Sequence, residues 1–403
     1  MIDLTNILLI FLFAKIFGDI AERKNISSIV GHVICGIAFG PFLLGIIYPG
    51  KEIEVLADIG LLVIMLYAGL TSEYKELLKA KYTAIIIGIF GVITSFVLCF
   101  SVPWFLGFGL IPSLFVGIIL TNTAVEIIGG MVANESNQNV SHILLGASFF
   151  DDIIAIYLVG LLSTITLNQS TFNLVDIGNV TLKIVIFFVI TILISEFLIS
   201  SKGRRIVKYL VEGDQHQSIM IVFIFTLVFA LFASFIGLHE VIGSFLAGLV
   251  LSRIKEKEDP MLSFRIRFNE VTSEMNTLMR FLFMPLFFVY IGLLFNRENT
   301  QINIPLIILL FLGAMGGKII GCGLASKLCK IDNRNSLLVG VGMCGRGSLE
   351  LAIVRYGFSN GVISSDLYSS IVIVTLLSII ITPILFGRLI KESDVDFYDV
   401  SVP

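Results

Sequence analysis

Apolar runs of about twenty residues follow one another along the chain, separated by short stretches that hold most of the charge. Twenty residues of α-helix rise about 30 Å, the thickness of a bilayer's hydrocarbon core. Strands of a membrane barrel would instead read as ten-residue segments of alternating polarity. The pattern therefore predicts helices, about thirteen of them, near residues 4–21, 28–47, 54–70, 82–106, 110–133, 142–166, 174–200, 216–236, 238–252, 275–295, 303–328, 334–357 and 365–387. Several are short or interrupted by glycine and polar residues. About 15 residues follow the last segment, so no soluble regulatory domain is expected.

Composition points the same way. Of 403 residues, 56% are hydrophobic and 14% charged, against about 25% charged in soluble proteins. Mean hydropathy is +0.98. The fold class is all-α integral membrane. No basic patch interleaved with aromatics appears, which excludes a nucleic-acid partner. Cys35, Cys99, Cys322, Cys329 and Cys344 are scattered inside apolar runs without a CxxC. His32, His142, His216 and His239 show no metal-ligand spacing, and no cofactor is expected. Met1-Ile2-Asp3-Leu4 lacks the basic start of a signal peptide, so the first helix is expected to stay as a span.

Of the Lys and Arg outside the predicted helices, nearly all fall in alternate loops and in the C-terminal tail. The opposite side carries only Lys51 and Arg297. The positive-inside rule then places the N-terminus outside and the C-terminus in the cytoplasm. An odd number of helices agrees with that.

A weak repeat runs through the chain. Leu66-Tyr67-Ala68-Gly69-Leu70 resembles Val289-Tyr290-Ile291-Gly292-Leu293, and Val33-Ile34-Cys35-Gly36 resembles Val241-Ile242-Gly243-Ser244. Each pair is seven predicted helices apart. Seven is odd, so the two copies face opposite ways across the membrane. The chain reads as one transmembrane domain over residues 1–403: a first repeat at 1–166, a linking helix at 174–200 and a second, inverted repeat at 216–387.

The chemistry sits where polar groups interrupt these helices. Ser148-Phe149-Phe150-Asp151-Asp152-Ile153 places two carboxylates in a row at membrane depth. Each costs at least about 2.5–3.5 kcal/mol there unless compensated, and the usual compensation is a cation, a proton or a buried base. Adjacent helical residues point about 100° apart, so one aspartate can face an ion path and the other a neighbouring helix. Ser148 lies one turn before Asp152 on the same face. Two carboxylates and a hydroxyl, with no imidazole or thiolate, suit a hard monovalent cation such as Na⁺ or K⁺. Competition between that cation and protons for one carboxylate is all that cation/proton exchange requires.

The 110–133 segment carries Thr121-Asn122-Thr123-Ala124-Val125-Glu126 and then Gly129-Gly130. The 334–357 segment carries Gly342-Met343-Cys344-Gly345-Arg346-Gly347-Ser348. Two helices broken at matching places in the two halves point to a midplane site. Lys318, in Gly316-Gly317-Lys318-Ile319-Ile320-Gly321, is too deep to reach water and needs an acid, one of the two aspartates or Glu126. Arg346 is expected to neutralise Glu126 or Glu350 near the crossing of the broken helices. Lys15 and Asp19, four residues apart, can pair on one helix. Asp58, Lys183, Glu196 and Arg280 lie near helix ends and read as interfacial.

With these residues set out, the chain resembles the monovalent cation:proton antiporters, the branch with bacterial sodium/proton exchangers and potassium-efflux transporters. Five stretches carry the resemblance, in order. They are Gly31 to Gly40, Thr121-Asn122-Thr123-Ala124-Val125, Phe150-Asp151-Asp152, Gly237-Leu238-His239-Glu240-Val241-Ile242-Gly243-Ser244-Phe245-Leu246-Ala247-Gly248, and Pro285-Leu286-Phe287-Phe288-Val289. Lys318 and Gly345-Arg346-Gly347 follow them.

The resemblance implies a sodium/proton antiporter fold with a core domain, a dimerisation domain and crossed broken helices. It implies that Asp152 binds the cation or proton, that Asp151 pairs with Lys318, and that Thr123 and Ser148 help coordinate the ion, with Asn122 beside them. Lys318, Arg346, Glu126 and Glu350 would balance charge. Electroneutral relatives carry Asn-Asp at the pair and potassium-efflux relatives Gln-Asp, so Asp-Asp implies electrogenic exchange of Na⁺ or Li⁺ for protons by alternating access. The implied protein is a homodimer in the cell membrane. Two residues depart from the family pattern: Glu126 stands where a small or apolar residue is usual, and Ser348 where an acid is common. The alternative is a K⁺/H⁺ antiporter or K⁺-efflux transporter. A rival from another class, an intramembrane aspartyl protease, needs aspartates on facing helices, which these are not.

Overall fold

The computed structural model describes residues 4–24, 26–71, 74–124, 127, 128, 131, 138–168, 174–200, 203, 215–236, 240–256, 262–296 and 302–398. The described elements are all helical. In chain order they are α1 (Leu4–Arg23), α2 (Ser28–Phe39), α3 (Lys51–Thr71), α4 (Tyr74–Phe105), α5 (Leu110–Ile119), α6 (Gln138–Asn168), α7 (Leu174–Ile199), α8 (Gln215–Ile236), α9 (Glu240–Glu256) and α10 (Leu262–Leu278). A π-helical turn at Met279–Phe283 leads into α11 (Met284–Leu293), followed by α12 (Ile304–Leu328), α13 (Asn333–Gly342), α14 (Ser348–Ser359) and α15 (Ser365–Tyr398). Among the described residues, seven helices are long and apolar enough to cross a membrane: Lys51–Thr71, Tyr82–Phe105, Thr181–Ile199, Gln217–Ile236, Phe268–Leu293, Ile304–Leu328 and Ser365–Ile390.

Several predicted boundaries shift, each for a local reason. The segment expected at 28–47 stops at Phe39, because Gly40-Pro41 opens a turn and Gly45 takes a φ of +61°. The segment expected at 275–295 starts earlier, since polar α10 precedes it and hydropathy does not register a helix of that composition. The π turn sits just before Pro285. Proline has no N–H for the carbonyl four residues back, and a widened turn absorbs the defect. The 110–133 and 334–357 segments are interrupted after Ile119 and between Gly342 and Ser348. Val125, Glu126, Gly129, Gly130 and Gly237-Leu238-His239 lie outside the described residues.

The chain divides into two compact units. The first comprises Met1–Phe17, Gly31–Lys75 and Ile156–Leu294. Its helices touch through glycine. A methyl group added to Gly69 of α3 would overlap the Phe245 carbonyl and lie 2.9 Å from the Gly248 Cα of α9. One added to Gly36 of α2 would overlap the Val289 carbonyl and lie 2.8 Å from the Gly292 Cα of α11. Small residues let membrane helices approach at backbone distance, where dispersion contacts are densest. Gly69 and Gly292 are the matched glycines of the two repeated pentapeptides, and each seats the helix that carries the other repeated motif. Val63, Leu66, Leu70, Val222, Phe268, Val271 and Met275 form an apolar cluster beside these contacts.

The second unit comprises Gly18–Val30, Glu76–Ala155 and Phe295–Pro403. Its apolar cluster includes Ile87, Leu144, Ala147, Cys322, Val339 and Phe386. Here too glycine draws two helices together. A methyl group on Gly317 of α12 would stand 2.5 Å from the Ser95 Cα of α4, and one on Gly91 of α4 would stand 3.6 Å from the Lys318 ammonium. The Thr94 hydroxyl donates to the Gly317 carbonyl at 2.7 Å, which adds a polar clasp to that approach. α4 thus presses α12 into place at the residue that holds its buried charge.

Candidate functional site

The site is built in the second unit from two interrupted helices, the middle of α6 and the lysine of α12. α5 ends at Ile119, and Thr121, Asn122, Thr123 and Ala124 continue without helical form. Short polar side chains bond the nearby backbone and compete with the helix ladder. The Thr121 hydroxyl does so, donating to the Ile118 carbonyl at 2.8 Å. α13 ends at Gly342 and α14 begins at Ser348, with three glycines in the gap or at its edge.

A helix end leaves carbonyls or N–H groups without partners, and a buried end must find them elsewhere. Here the two gaps satisfy each other. The Ala124 N–H donates to the Gly345 carbonyl at 2.9 Å, and the Thr123 hydroxyl lies 2.9 Å from the Met343 carbonyl. The Ser95 hydroxyl of α4 donates to the Leu120 carbonyl at 3.0 Å. Arg346 donates from one guanidinium nitrogen to the Asn122 carbonyl and from the other to the Ala314 carbonyl of α12, the latter at 3.2 Å. Glu350 accepts the Gly347 N–H at 2.8 Å, at the start of α14.

The placement of the two charges follows the backbone dipoles. A helix carries about half a negative charge at its C-terminal end and half a positive charge at its N-terminal end. The Arg346 cation serves a carbonyl just past the C-terminal end of α5, and the Glu350 carboxylate serves an N–H at the N-terminal end of α14. Both residues are fully buried.

Asp151 is fully buried and forms a salt bridge with the equally buried Lys318 through Oδ2. The Thr123 hydroxyl reaches the same oxygen at 2.5 Å. Asp152, the next residue, is 5% exposed. Ser148 is buried, and its hydroxyl donates to the Leu145 carbonyl of its own helix at 3.0 Å. Asn122 is buried with neither side-chain amide atom hydrogen-bonded among the described residues, and Asp151 Oδ1 is in the same condition. Buried polar atoms without a protein partner mark room for a bound ion or water. The polar side chains on these neighbouring segments carry carboxylate, amide and hydroxyl oxygens, donor types that suit a hard cation. Glu126 lies outside the described residues, and so does its expected pairing with Arg346 or Lys318.

The reading of the sequence missed Thr94 and Ser95. Their signal was present in α4, where Gly88, Gly91 and Ser95 recur at spacings of three and four, a small-residue face able to admit another helix.

Residues 8–392 match the family described as sodium/hydrogen exchanger, transmembrane. The chain belongs to that family. It is accordingly a membrane transporter and not an enzyme. It is 30% identical over 387 residues to the Na(+)/H(+)-K(+) antiporter GerN of Bacillus cereus, covering 94% of each chain. It is 28% identical over 403 residues to a Na(+)/H(+) antiporter of Enterococcus hirae, covering 97% of this chain and 99% of that one. A solved structure of the sodium proton antiporter MjNhaP1 from Methanocaldococcus jannaschii superposes with a TM-score of 0.69 at 17% identity, covering 96% of this chain and 98% of the other. At that identity the likeness speaks for the fold, and it extends the family's fold over nearly the whole chain.

Proposed function

We infer that this chain is a secondary active antiporter that exchanges Na⁺ or Li⁺ for protons by alternating access. The observation that carries the reading is the buried Lys318–Asp151 salt bridge beside Asp152. Asp152 is the carrier, taking a cation on one side and protons on the other. Asp151 and Lys318 form a second, neutral pair next to it. Two protons and one cation compete for the set of Asp151, Asp152 and Lys318. Two titrating centres and one monovalent cation give electrogenic exchange. Thr123, Asn122 and Ser148 supply further oxygen ligands, and Arg346 with Glu350 holds the crossing of the broken helices. The protein works as a homodimer in the cell membrane, with its N-terminus outside and its C-terminus in the cytoplasm. The Lys/Arg distribution supports that orientation.

The test is cation-dependent dissipation of an imposed pH gradient in proteoliposomes, with Na⁺, Li⁺ and K⁺ added separately, with and without a membrane potential. A Na⁺ or Li⁺ response that varies with potential is expected. Asp152→Ala is expected to abolish it in a protein that still folds. A response to K⁺ alone would move the chain to the potassium-efflux branch, and one blind to voltage would overturn the electrogenic part.

A further inference from the structure

α15 carries a polar file that the site above does not use. Thr375, Ser378 and Thr382 recur at spacings of three and four, so they share one face of the helix, and all three are fully buried. A buried helical threonine ordinarily donates to the carbonyl four residues back, as Thr191 and Thr226 do at 2.8 Å. Thr375 and Thr382 do not. Neither hydroxyl has a hydrogen-bond partner among the described residues. Between them Ser378 donates to the Val374 carbonyl at 2.9 Å, which leaves its oxygen lone pairs available. Pro383 adds another acceptor, because it has no N–H to offer the Ile379 carbonyl.

The spacing suits water. Three and four residues of helix rise about 4.5 and 6 Å. One water within about 2.8 Å of each of two oxygens spans about 5.6 Å. A single water therefore fits between the Thr375 and Ser378 hydroxyls, and the longer step from Ser378 to Thr382 lies at the outer limit of one water or takes two, each water with two or three polar partners, the number buried waters ordinarily have.

Aromatic residues stand on the same face of α15 beyond each end of the file. Seven residues before Thr375, the Tyr368 ring lies 4.6 Å from that of Phe358 in α14 and 5.7 Å from that of Phe295. Four residues after Thr382, Phe386 packs against Gly342 at the end of α13, where an added methyl group would stand 3.2 Å from its Cε2. Between Gly342 and Phe358 the chain holds the gap between α13 and α14, with the buried residues Arg346, Ser348 and Glu350.

We propose that Thr375, Ser378 and Thr382 hold a sealed file of buried water that solvates the interrupted segment between α13 and α14. Sealing matters, because an open file would leak protons and discharge the gradient. Its effect on transport rests on the exchange reading above, whereas its presence does not.

Two measurements decide the proposal. Short X-ray pulses generate hydroxyl radicals from bound water, which label the side chains beside it even when buried. The wild-type protein is expected to label in the 375–382 segment. Label there is expected to fall to background in Thr375→Val/Thr382→Val and to persist in Thr375→Ser/Thr382→Ser. An unlabelled wild type, or equal label in the valine variant, overturns the water file. In proteoliposomes the valine variant is expected to slow Na⁺-driven proton movement about tenfold, with the serine variant near wild type. Equal rates in all three overturn the role in transport. If the wild type moved no protons against Na⁺ or Li⁺, the exchange reading would fall and the labelling would still decide the file.

Discussion

The contact of Gly69 with Gly248 in the first unit and the meeting of Asn122 with Arg346 in the second both bring two segments to backbone distance, from opposite materials. At the first, two intact helices touch through bare Cα atoms, and the Ser244 hydroxyl of α9 donates to the Leu62 carbonyl of α3 with neither helix interrupted. At the second, the helices are interrupted, and the freed carbonyls are taken by a guanidinium, two hydroxyls and a main-chain N–H. The first arrangement gains contact at no cost in backbone polarity but offers an ion nothing to bind. The second exposes oxygens at membrane depth, and donors within reach of them offset that cost. A membrane protein that must hold an ion needs the second kind, and the first kind serves where rigid packing is enough.

Lys318→Ala should separate the two most sharply. Removing one partner of a buried ion pair leaves the other uncompensated and costs about 3–5 kcal/mol. Asp151 would be expected to hold a proton instead, so exchange should persist while its dependence on membrane potential is lost. Proteoliposome assays at two clamped potentials, with a thermal melt of the same preparation, check both parts. Unchanged voltage dependence would mean that Lys318 does not take part in charge movement.

Gly69→Ala tests the other crossing. Overpacking of this kind costs about 1–3 kcal/mol. The expected outcome is a lower melting temperature with exchange per folded molecule unchanged. Altered ion affinity in the folded fraction would erase the contrast between the two crossings.

The smallest effect is expected at Asp332, which caps α13 by accepting the Asn335 N–H at 3.1 Å. That bond holds its carboxyl below the usual carboxylate range. Asp332→Ala should cost about 0.5–1 kcal/mol, toward the low end because the residue is exposed. A lowered value in the fold means the contribution is complete above the unfolded pKa of about 3.9 and fades as pH falls through the folded one. The difference between wild type and variant should therefore be flat near neutral pH and shrink in acid, as melts at several pH values would show.

Much of the fold was legible because hydropathy reports burial in lipid directly. It failed where burial and helix part company. Polar α10 is a helix with little apolar signal, and the segment expected at 28–47 is apolar beyond the point where its helix ends. The site was legible in its charges, since Asp151, Lys318 and Arg346 have no other business at membrane depth, and the structure joins Asp151 to Lys318. What the sequence does not display is the set of main-chain partners. Nothing in the letters Met343, Gly345 or Ala314 says that their carbonyls will receive Thr123, Ala124 and Arg346, because a carbonyl is common to every residue. The hydroxyls of Ser95 and Thr375 were passed over for a related reason: a lone Ser or Thr in a membrane helix usually serves its own backbone.

Thr123 has one hydroxyl hydrogen and two acceptors in reach, Asp151 Oδ2 at 2.5 Å and the Met343 carbonyl at 2.9 Å. It cannot serve both fully at once, and the more negative acceptor wins. An ionised Asp151 draws the hydrogen toward α6, while a neutral one releases it to the gap between α13 and α14. The strength of one tie between the broken segments is thus a readout of a single carboxylate's charge.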